Sequence, residues 1–549
     1  MKLKNRFPGI RGKSGFNKTF NPGAARENML NDTPDINIAF QLFAMAEKVP
    51  DFPILTFESK GQPDEILTYG ALARKGNRLA EALRSAGMVP GDSVAVVMGN
   101  RPETIISLYA GLATGAVMVP LDPGFGWEKL AYLLRRCHAR GIIFSEEGAD
   151  SSGDMLSALG DIKILGVKRR RGPRPSRSPR YPDLDDIFEN GPGKAVVPGK
   201  APVHDLAMIL HTSGTTGIPK GVGIKTRSLH HYVVMALEVF KYTPQDRLYT
   251  GLPLTHGNSY SVTVIPSLLL GIPAVISRYF DTDRIWDICN RHGCTSFSLL
   301  GGLAADICRR PRQALDAVHS VTKVVSAGTP CHIWKVFEQR FNVTIHEWYA
   351  TLEGGFAHNP PGIGPVGSFG KPEAGFFDFK VVGKEGQECM AGEIGELLFR
   401  CVDKKGGGNP GAGEWHRTGD MVHQDTQGWF FFDFRKEQGF LRHGEHFAAQ
   451  EVEKVLLDHP EVGEVCVYGV DSISGAAGEQ DLVAAIIPCS GITPDVIGIF
   501  EFCANRLPAS ARPTFLQLVK SIPRTPTEKV IRRLLKEGFE PSNPYIYQF

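Results

Sequence analysis

The sequence predicts an α/β protein of two domains, and three observations carry that expectation. Helix-like and strand-like segments alternate along most of the chain, 549 residues exceed what one hydrophobic core usually organises, and a turn-rich run from Lys404 to Gly413 precedes a change of character near Asp433-Phe434-Arg435. The alternation is concrete early in the chain. Leu72, Leu79 and Leu83 recur at helical spacing, with Gly87 where such a helix would stop. Val94 to Met98 then reads as a strand, Ile105 to Ala113 as a helix, Val117 to Val119 as a strand and Asp122-Pro123 as a turn. This βαβ succession implies a largely parallel sheet covered by helices.

The domain plan follows. Residues 1–34 read as a loosely ordered arm, 35–433 as a large N-terminal domain of parallel and mixed sheets with helices, and 434–549 as a small α+β C-terminal domain. In the last, Gln450 to Leu457 is helix-like. The segment Val167 to Asp186, with Lys168-Arg169-Arg170-Arg171 and a Pro/Arg/Ser mixture, offers little to bury. It reads as a solvated loop, with a docking patch for an acidic partner as the alternative.

Composition narrows the class. Apolar residues make up 42%, charged residues 22%, and the formal net charge is +2, so no nucleic-acid partner is expected. The most apolar stretch, Val262 to Ile276, is interrupted by Pro266, Ser267, Gly271 and Pro273 and is too short to cross a bilayer. Met1 to Lys18 mixes basic residues with Gly and Pro around no apolar centre, so no secretory signal is expected. Ten cysteines with no CxxC pair and no zinc-ligand spacing read as reduced thiols of a cytoplasmic protein.

The chemistry begins at Met208 to Gly221. An apolar strand runs into Thr212-Ser213-Gly214-Thr215-Thr216-Gly217-Ile218-Pro219 and then Lys220. Closely spaced backbone N–H groups, several hydroxyls and one cation are what a polyphosphate needs, and glycine lets the backbone approach it. The loop is not a Walker A motif, because Pro219 precedes the lysine and no GK[ST] occurs.

Thr212 to Gly221 resembles the signature loop of the adenylate-forming (AMP-binding) superfamily, which includes acyl-CoA synthetases, non-ribosomal adenylation domains and firefly luciferase. Ordered companions strengthen the resemblance. Leu252-Pro253-Leu254-Thr255-His256 is similar to a family segment whose last position borders the carboxylate pocket, which nominates His256; Thr255 replaces the usual aromatic residue. Ser326-Ala327-Gly328-Thr329-Pro330 resembles the segment that closes over adenine. The family's YGxTE motif is matched by Tyr349-Ala350-Thr351-Leu352-Glu353, with Ala350 for glycine and Leu352 for a threonine that bonds the adenylate phosphate. The resemblance implies that Tyr349 stacks on adenine and that Glu353, with Thr212, holds Mg²⁺ against the phosphates.

Further along, Arg417-Thr418-Gly419-Asp420 matches the family motif in which the aspartate accepts from the ribose hydroxyls. Phe434-Arg435-Lys436-Glu437 falls at the family's hinge, with Arg435 reaching ribose or phosphate and Glu437 at the pivot. Gly444-Glu445-His446-Phe447 resembles the loop that meets the pantetheine arm, and Arg442 to Glu445 is nearest the fatty-acid-transport and carnitine-CoA-ligase-like branches. Leu441 stands where many members carry lysine. In Pro523 to Arg532, Lys529 takes the place of the lysine that bridges the carboxylate and the α-phosphate, and Glu528 replaces glycine.

The resemblance implies ATP-dependent activation of a carboxylic acid as its acyl-adenylate, then transfer to coenzyme A. Substrates would be the acid, ATP and CoA with Mg²⁺, and the chain could act alone or as a homodimer. A carrier-protein pantetheine is the alternative acceptor, and a nucleotide-binding protein without catalysis is a third reading.

Overall fold

The computed structural model describes residues 38–146, 161–169, 181–191, 206–211, 220–314, 316–402, 413–436, 439–442, 445–471, 480–524 and 530–548. They fall into two compact units. The first takes in the chain to Leu210, Gly223–Asp281 and Asp287–Ser298; the second is His211–Val222, Thr282–Trp286 and the chain from Leu299.

The first unit carries strands β1 (Pro53–Glu58), β2 (Glu65–Thr68), β3 (Ser93–Val97), β4 (Val117–Leu121), β5 (Ala139–Ser145), β6 (Lys163–Lys168), β7 (Leu206–His211), β8 (Gly221–Lys225), β9 (Leu248–Thr250), β10 (Ala274–Ser277) and β11 (Ser296–Leu300). One sheet has the order β6-β5-β3-β4-β7-β8, with β3, β4, β5 and β6 parallel to their neighbours. Every residue of β3 and β4 is buried, as expected of parallel strands covered on both faces. Ala95, Val97, Ile142 and Phe144 pack on Leu130, Leu133 and Leu134 of the Trp127–Arg136 helix. A second set runs β2-β1-β10-β9-β11, all parallel except the β1–β2 pair.

Local signals read in the sequence are realised here. The helix Tyr69–Ser85 starts where the Thr68 hydroxyl accepts from the Ala71 N–H at 3.1 Å. It ends with Gly87 at φ +79°, the Gly87 and Met88 amides donating to the Arg84 and Leu83 carbonyls; a side chain would strain that left-handed position. The apolar stretch Val262 to Ile276 resolves into a π-helix, Ser259–Val264, a helix, Ile265–Leu270, and β10. Among the described residues no helix is long and apolar enough to cross a membrane.

The basic run departs from its expectation as a solvated loop. Lys168 closes β6 and its ammonium lies 2.7 Å from the buried Glu103 carboxylate and 2.8 Å from Asp185. Arg169 pairs with Glu146 at 3.0 Å and with Asp183 at 3.1 Å. Burial alone would lower the Lys168 pKa, but its two carboxylates win and raise it. Residues 170–180 lie outside the described set.

The second unit holds β12 (Lys323–Ala327), β13 (Thr344–Thr351), β14 (Gly354–Asn359), β15 (Ser368–Pro372), β16 (Phe377–Val382), β17 (Gly395–Cys401), β18 (His416–Gln424), β19 (Phe430–Arg435), β20 (Gly439–Arg442), β21 (Glu445–Ala448), β22 (Val462–Asp471), β23 (Gln480–Pro488), β24 (Phe515–Leu518) and β25 (Ile546–Gln548). The order β16-β17-β18-β19-β15-β14-β13-β12 is antiparallel at every pair except β12–β13. β19 stays paired through Arg435, so the 433/434 boundary cuts a strand. Toward the C-terminus, β22-β23-β24-β25 form a sheet with a core on each face. Leu482, Ala484 and Ile486 face one core while Val483 and Ala485 face the other, the two-residue period of a covered strand. The helix Ala449–Leu457 matches the helix-like 450–457.

Lys168→Met should leave Glu103 buried without its cation and cost about 3–5 kcal/mol, whereas Lys168→Met with Glu103→Leu should cost much less. Urea midpoints of the two variants check this; equal losses would mean that the pair is not what the site depends on.

Candidate functional site

The site is built on β13, β18 and β19. In the β18–β19 ladder Asp420 stands opposite Arg435, and the guanidinium Nε lies 2.7 Å from Asp420 Oδ1. From β13 the Tyr349 hydroxyl donates to Asp420 Oδ2 at 2.6 Å. Asp420 is fully buried, so its charge needs both partners. Thr418 braces the turn: its hydroxyl accepts from the Asp420 N–H at 3.0 Å and donates to the Leu397 carbonyl at 2.8 Å. Burial, then the Asp420 charge, holds the Tyr349 phenol well above its ordinary pKa, so it remains a donor. Its ring packs on Phe369 at 4.6 Å and edge-on to Phe379 at 6.2 Å. Three residues nominated from separate motifs therefore meet.

The Tyr349 to Glu353 motif does not follow a regular strand. A register shift falls between Ala350, opposite Phe356, and Thr351, opposite Gly354. The Thr351 hydroxyl turns into that corner and donates to the Gly354 carbonyl at 2.7 Å. Beyond it the Glu353 carboxylate lies 3.7 Å from the Lys220 ammonium, both well exposed. The last residue of the glycine-rich loop and the last of this motif are thus neighbours. Such an exposed pair is worth little as a stabiliser, so it marks position rather than strength.

The Gly328-Thr329-Pro330 segment leaves β12 with Gly328 at φ +78°. Its amides point at a residue the motif reading passed over. Glu347, on β13 opposite Ser326, accepts the Gly328 N–H at 2.5 Å and the Thr329 N–H at 3.2 Å. Burial outweighs those hydrogen bonds and raises its pKa to about 8. Nothing local in the sequence marks Glu347; only the strand register brings it there.

His256 lies in the first unit, in a turn preceding the π-helix. Its Nδ1 accepts from the Asn258 N–H at 3.2 Å. Asn100, buried, holds that turn by donating to the Leu252 and Ser277 carbonyls at 3.0 and 2.8 Å and accepting from the Leu254 N–H at 2.7 Å. Sequence reasoning missed Asn100 as well. After the hinge motif begins, Lys436 Nζ lies 2.9 Å from Glu396 Oε2, which Arg417 also engages. Burial pushes the Glu396 carboxyl up, but these two cations together hold it below the ordinary range.

Thr212, Ser213, Gly214, Thr215, Thr216, Glu437, Gly444 and Lys529 lie outside the described residues. Among those described, no group of three or more His, Cys, Asp or Glu could cage a metal ion. The exposed Glu353 suits Mg²⁺, which is commonly held by one or two carboxylates and substrate phosphates rather than by a protein cage. A groove of about 510 Å³ lined by Lys371, Lys380, Arg400 and Trp415 shares no residue with the nominated site.

Three outcomes follow. Arg435→Met should cost about 3–5 kcal/mol by stranding the Asp420 charge, and Tyr349→Phe about 1.5–3 kcal/mol by removing one hydrogen bond to it; urea unfolding measures both. Glu347 goes from about 4.5 unfolded to about 8 folded, so the folded state binds more protons between those values. Stability should therefore fall as pH rises through that window, and Glu347→Gln should flatten that part of the curve.

Comparison with known proteins identifies the family and the fold. The AMP-binding enzyme family matches residues 42–402, and the AMP-binding enzyme C-terminal domain matches 451–529. A sulfoacetate–CoA ligase of Cupriavidus necator is 27% identical over 90% of this chain and 96% of its own length. Long-chain fatty acid transport protein 1 of Mus musculus is 27% identical over 91% of this chain and 82% of its own. An anthranilate CoA ligase solved with anthranoyl-AMP superposes with a TM-score of 0.77 at 22% identity, over 93% of this chain and 98% of that one, which shows the same fold with its large α/β N-terminal and smaller C-terminal domains. The chain belongs to the AMP-binding enzyme family, the adenylate-forming superfamily that its glycine-rich loop and ordered motifs predicted.

Proposed function

We propose that this enzyme is an ATP-dependent carboxylic acid:CoA ligase that works through an acyl-adenylate. The observation that carries the reading is the meeting of Tyr349, Asp420 and Arg435 around one buried carboxylate, beside the Lys220–Glu353 pair. An aromatic face, a two-oxygen acceptor and cations are the groups that a nucleotide's base, ribose and phosphates need. CoA-ligase relatives that span nearly their whole length support the reaction class.

In the first step a carboxylate oxygen of the acid attacks the α-phosphorus of ATP and the bond to pyrophosphate breaks. Tyr349, Gly328, Thr329, Pro330 and the Ala350-Thr351 backbone would seat the base. Asp420 would accept from the ribose, and Thr212, Ser213, Gly214, Thr215, Thr216 and Lys220 would cradle the phosphates. Lys529 would place its charge between the carboxylate and the α-phosphate, where negative charge builds. When bound, Mg²⁺ would neutralise phosphate charge, with Glu353 and Thr212 as its protein holders. His256 would border the acid. In the second step the CoA thiolate attacks the acyl carbon and AMP leaves, with the thiol proton going to solvent. For that step we propose that the C-terminal domain read as 434–549 turns at the Arg435–Glu437 hinge, where the β18–β19 pairing ends, with Gly444 on the pantetheine side.

The test is pyrophosphate release over a panel of carboxylic acids, with and without CoA. We expect release that requires one acid class, and an acyl-CoA product when CoA is present. ATP binding with no acid-dependent release would overturn the reading, and acyl transfer only to a holo carrier protein would overturn the acceptor. Lys529→Ala should slow adenylation by about 10²–10³-fold, as loss of one transition-state donor does elsewhere. Thioesterification of supplied acyl-adenylate should change far less.

A further inference from the structure

We propose that Glu347 is the positioning residue for adenine, fixing the Gly328-Thr329 backbone through its carboxyl group. The inference rests on the nucleotide site proposed above and adds a residue that none of the site's motifs nominates.

The geometry confines the segment from two directions. On the amide side, Glu347 Oε1 accepts from both the Gly328 and Thr329 N–H groups, and Oε2 lies 3.3 Å from the Thr329 nitrogen. On the carbonyl side stands Gly301, at the start of the Gly301–Arg309 helix. A Cβ there would meet the Gly328 oxygen at 1.7 Å, so only glycine allows the approach. The Thr329 hydroxyl donates to the buried Ser326 hydroxyl at 2.7 Å, which ties the turn back to β12. With Gly328 left-handed and its amides occupied, the peptide planes of 328–330 have one orientation.

The carboxyl group itself is an unusual choice for a buried position. A carboxylate here gains two amide donors yet loses its hydration, and burial prevails. The groups acting on it are the Gly328 and Thr329 amides and the Thr329 hydroxyl. Glutamine is the nearest isostere of Glu347, because its single carbonyl oxygen can keep the Oε1 position that accepts from the Gly328 and Thr329 amides. Aspartate, one methylene shorter, would withdraw from the amides; alanine would leave them without a buried acceptor. A base seated on this backbone would lose its discrimination while phosphate contacts and chemistry stayed.

The experiment compares wild type with Glu347→Gln, Glu347→Asp and Glu347→Ala in pyrophosphate release with ATP and with GTP. Calorimetric titration with AMP comes first. We expect Ala to raise the KM for ATP by about 10- to 100-fold, the scale of one or two buried hydrogen bonds, with kcat little changed. The preference for ATP over GTP should fall by a similar factor, Gln should recover most of both, and Asp should lie between. Asp keeps the test decisive if Ala does not fold. Overturning results are Asp and Ala with wild-type ATP preference, or a loss confined to kcat, which would make Glu347 a packing residue only. Wild type that binds no AMP would instead sink the nucleotide site beneath the inference.

Discussion

The buried carboxylate of Asp420 is the constraint on which the candidate site depends. A charge with no exposure must be matched by donors, and here the match comes from two directions: a phenol on β13 and a guanidinium on β19. Arg435 reaches it because the two strands are in the one register that sets residue 420 opposite 435; a slip by one residue would turn the guanidinium to the other face. Tyr349 reaches it because β13 and the β18–β19 ladder belong to one run of strands, and its ring packs on Phe369 and edge-on to Phe379. One electrostatic requirement therefore fixes three motifs that the chain keeps far apart.

The same economy holds at Gly328. Each feature there would be costly alone: a left-handed residue, a buried carboxyl, and two backbones closer than a methyl group permits. Together they leave one conformation. In both places a side chain sets backbone geometry: Thr418, two residues back on β18, holds the Asp420 amide, and Glu347, from the neighbouring strand, holds the Gly328 amide.

Much of this was legible in the sequence, and the limit of legibility has a physical form. The helix ending at Gly87, the strand into the glycine-rich loop and the segment 450–457 were readable because their causes are local: a left-handed cap, an apolar run, a helical period. Tyr349, Asp420 and Arg435 were readable as motif positions, though their mutual contact was not. Glu347, Asn100 and the partners of Lys168 and Arg169 escaped, because each owes its surroundings to residues brought close only by the fold. A basic run looks solvated until the carboxylates that neutralise it arrive from elsewhere.

The altered motif between Tyr349 and Glu353 shows the same division at finer scale. Read as a strand, it offers Thr351 as a hydroxyl one position from where Leu352 lacks one. The register shift alters that alternation, yet the hydroxyl goes to the Gly354 carbonyl and serves the turn. What the turn secures is the placement of Glu353 beside Lys220. In the proposed reaction the motif would thus act less as a donor to phosphate than as the support of a carboxylate next to the phosphate loop. Stabilisation of the developing charge would then fall more heavily on Lys220, Lys529 and the backbone amides, which carry or present positive charge whatever residue stands at 352.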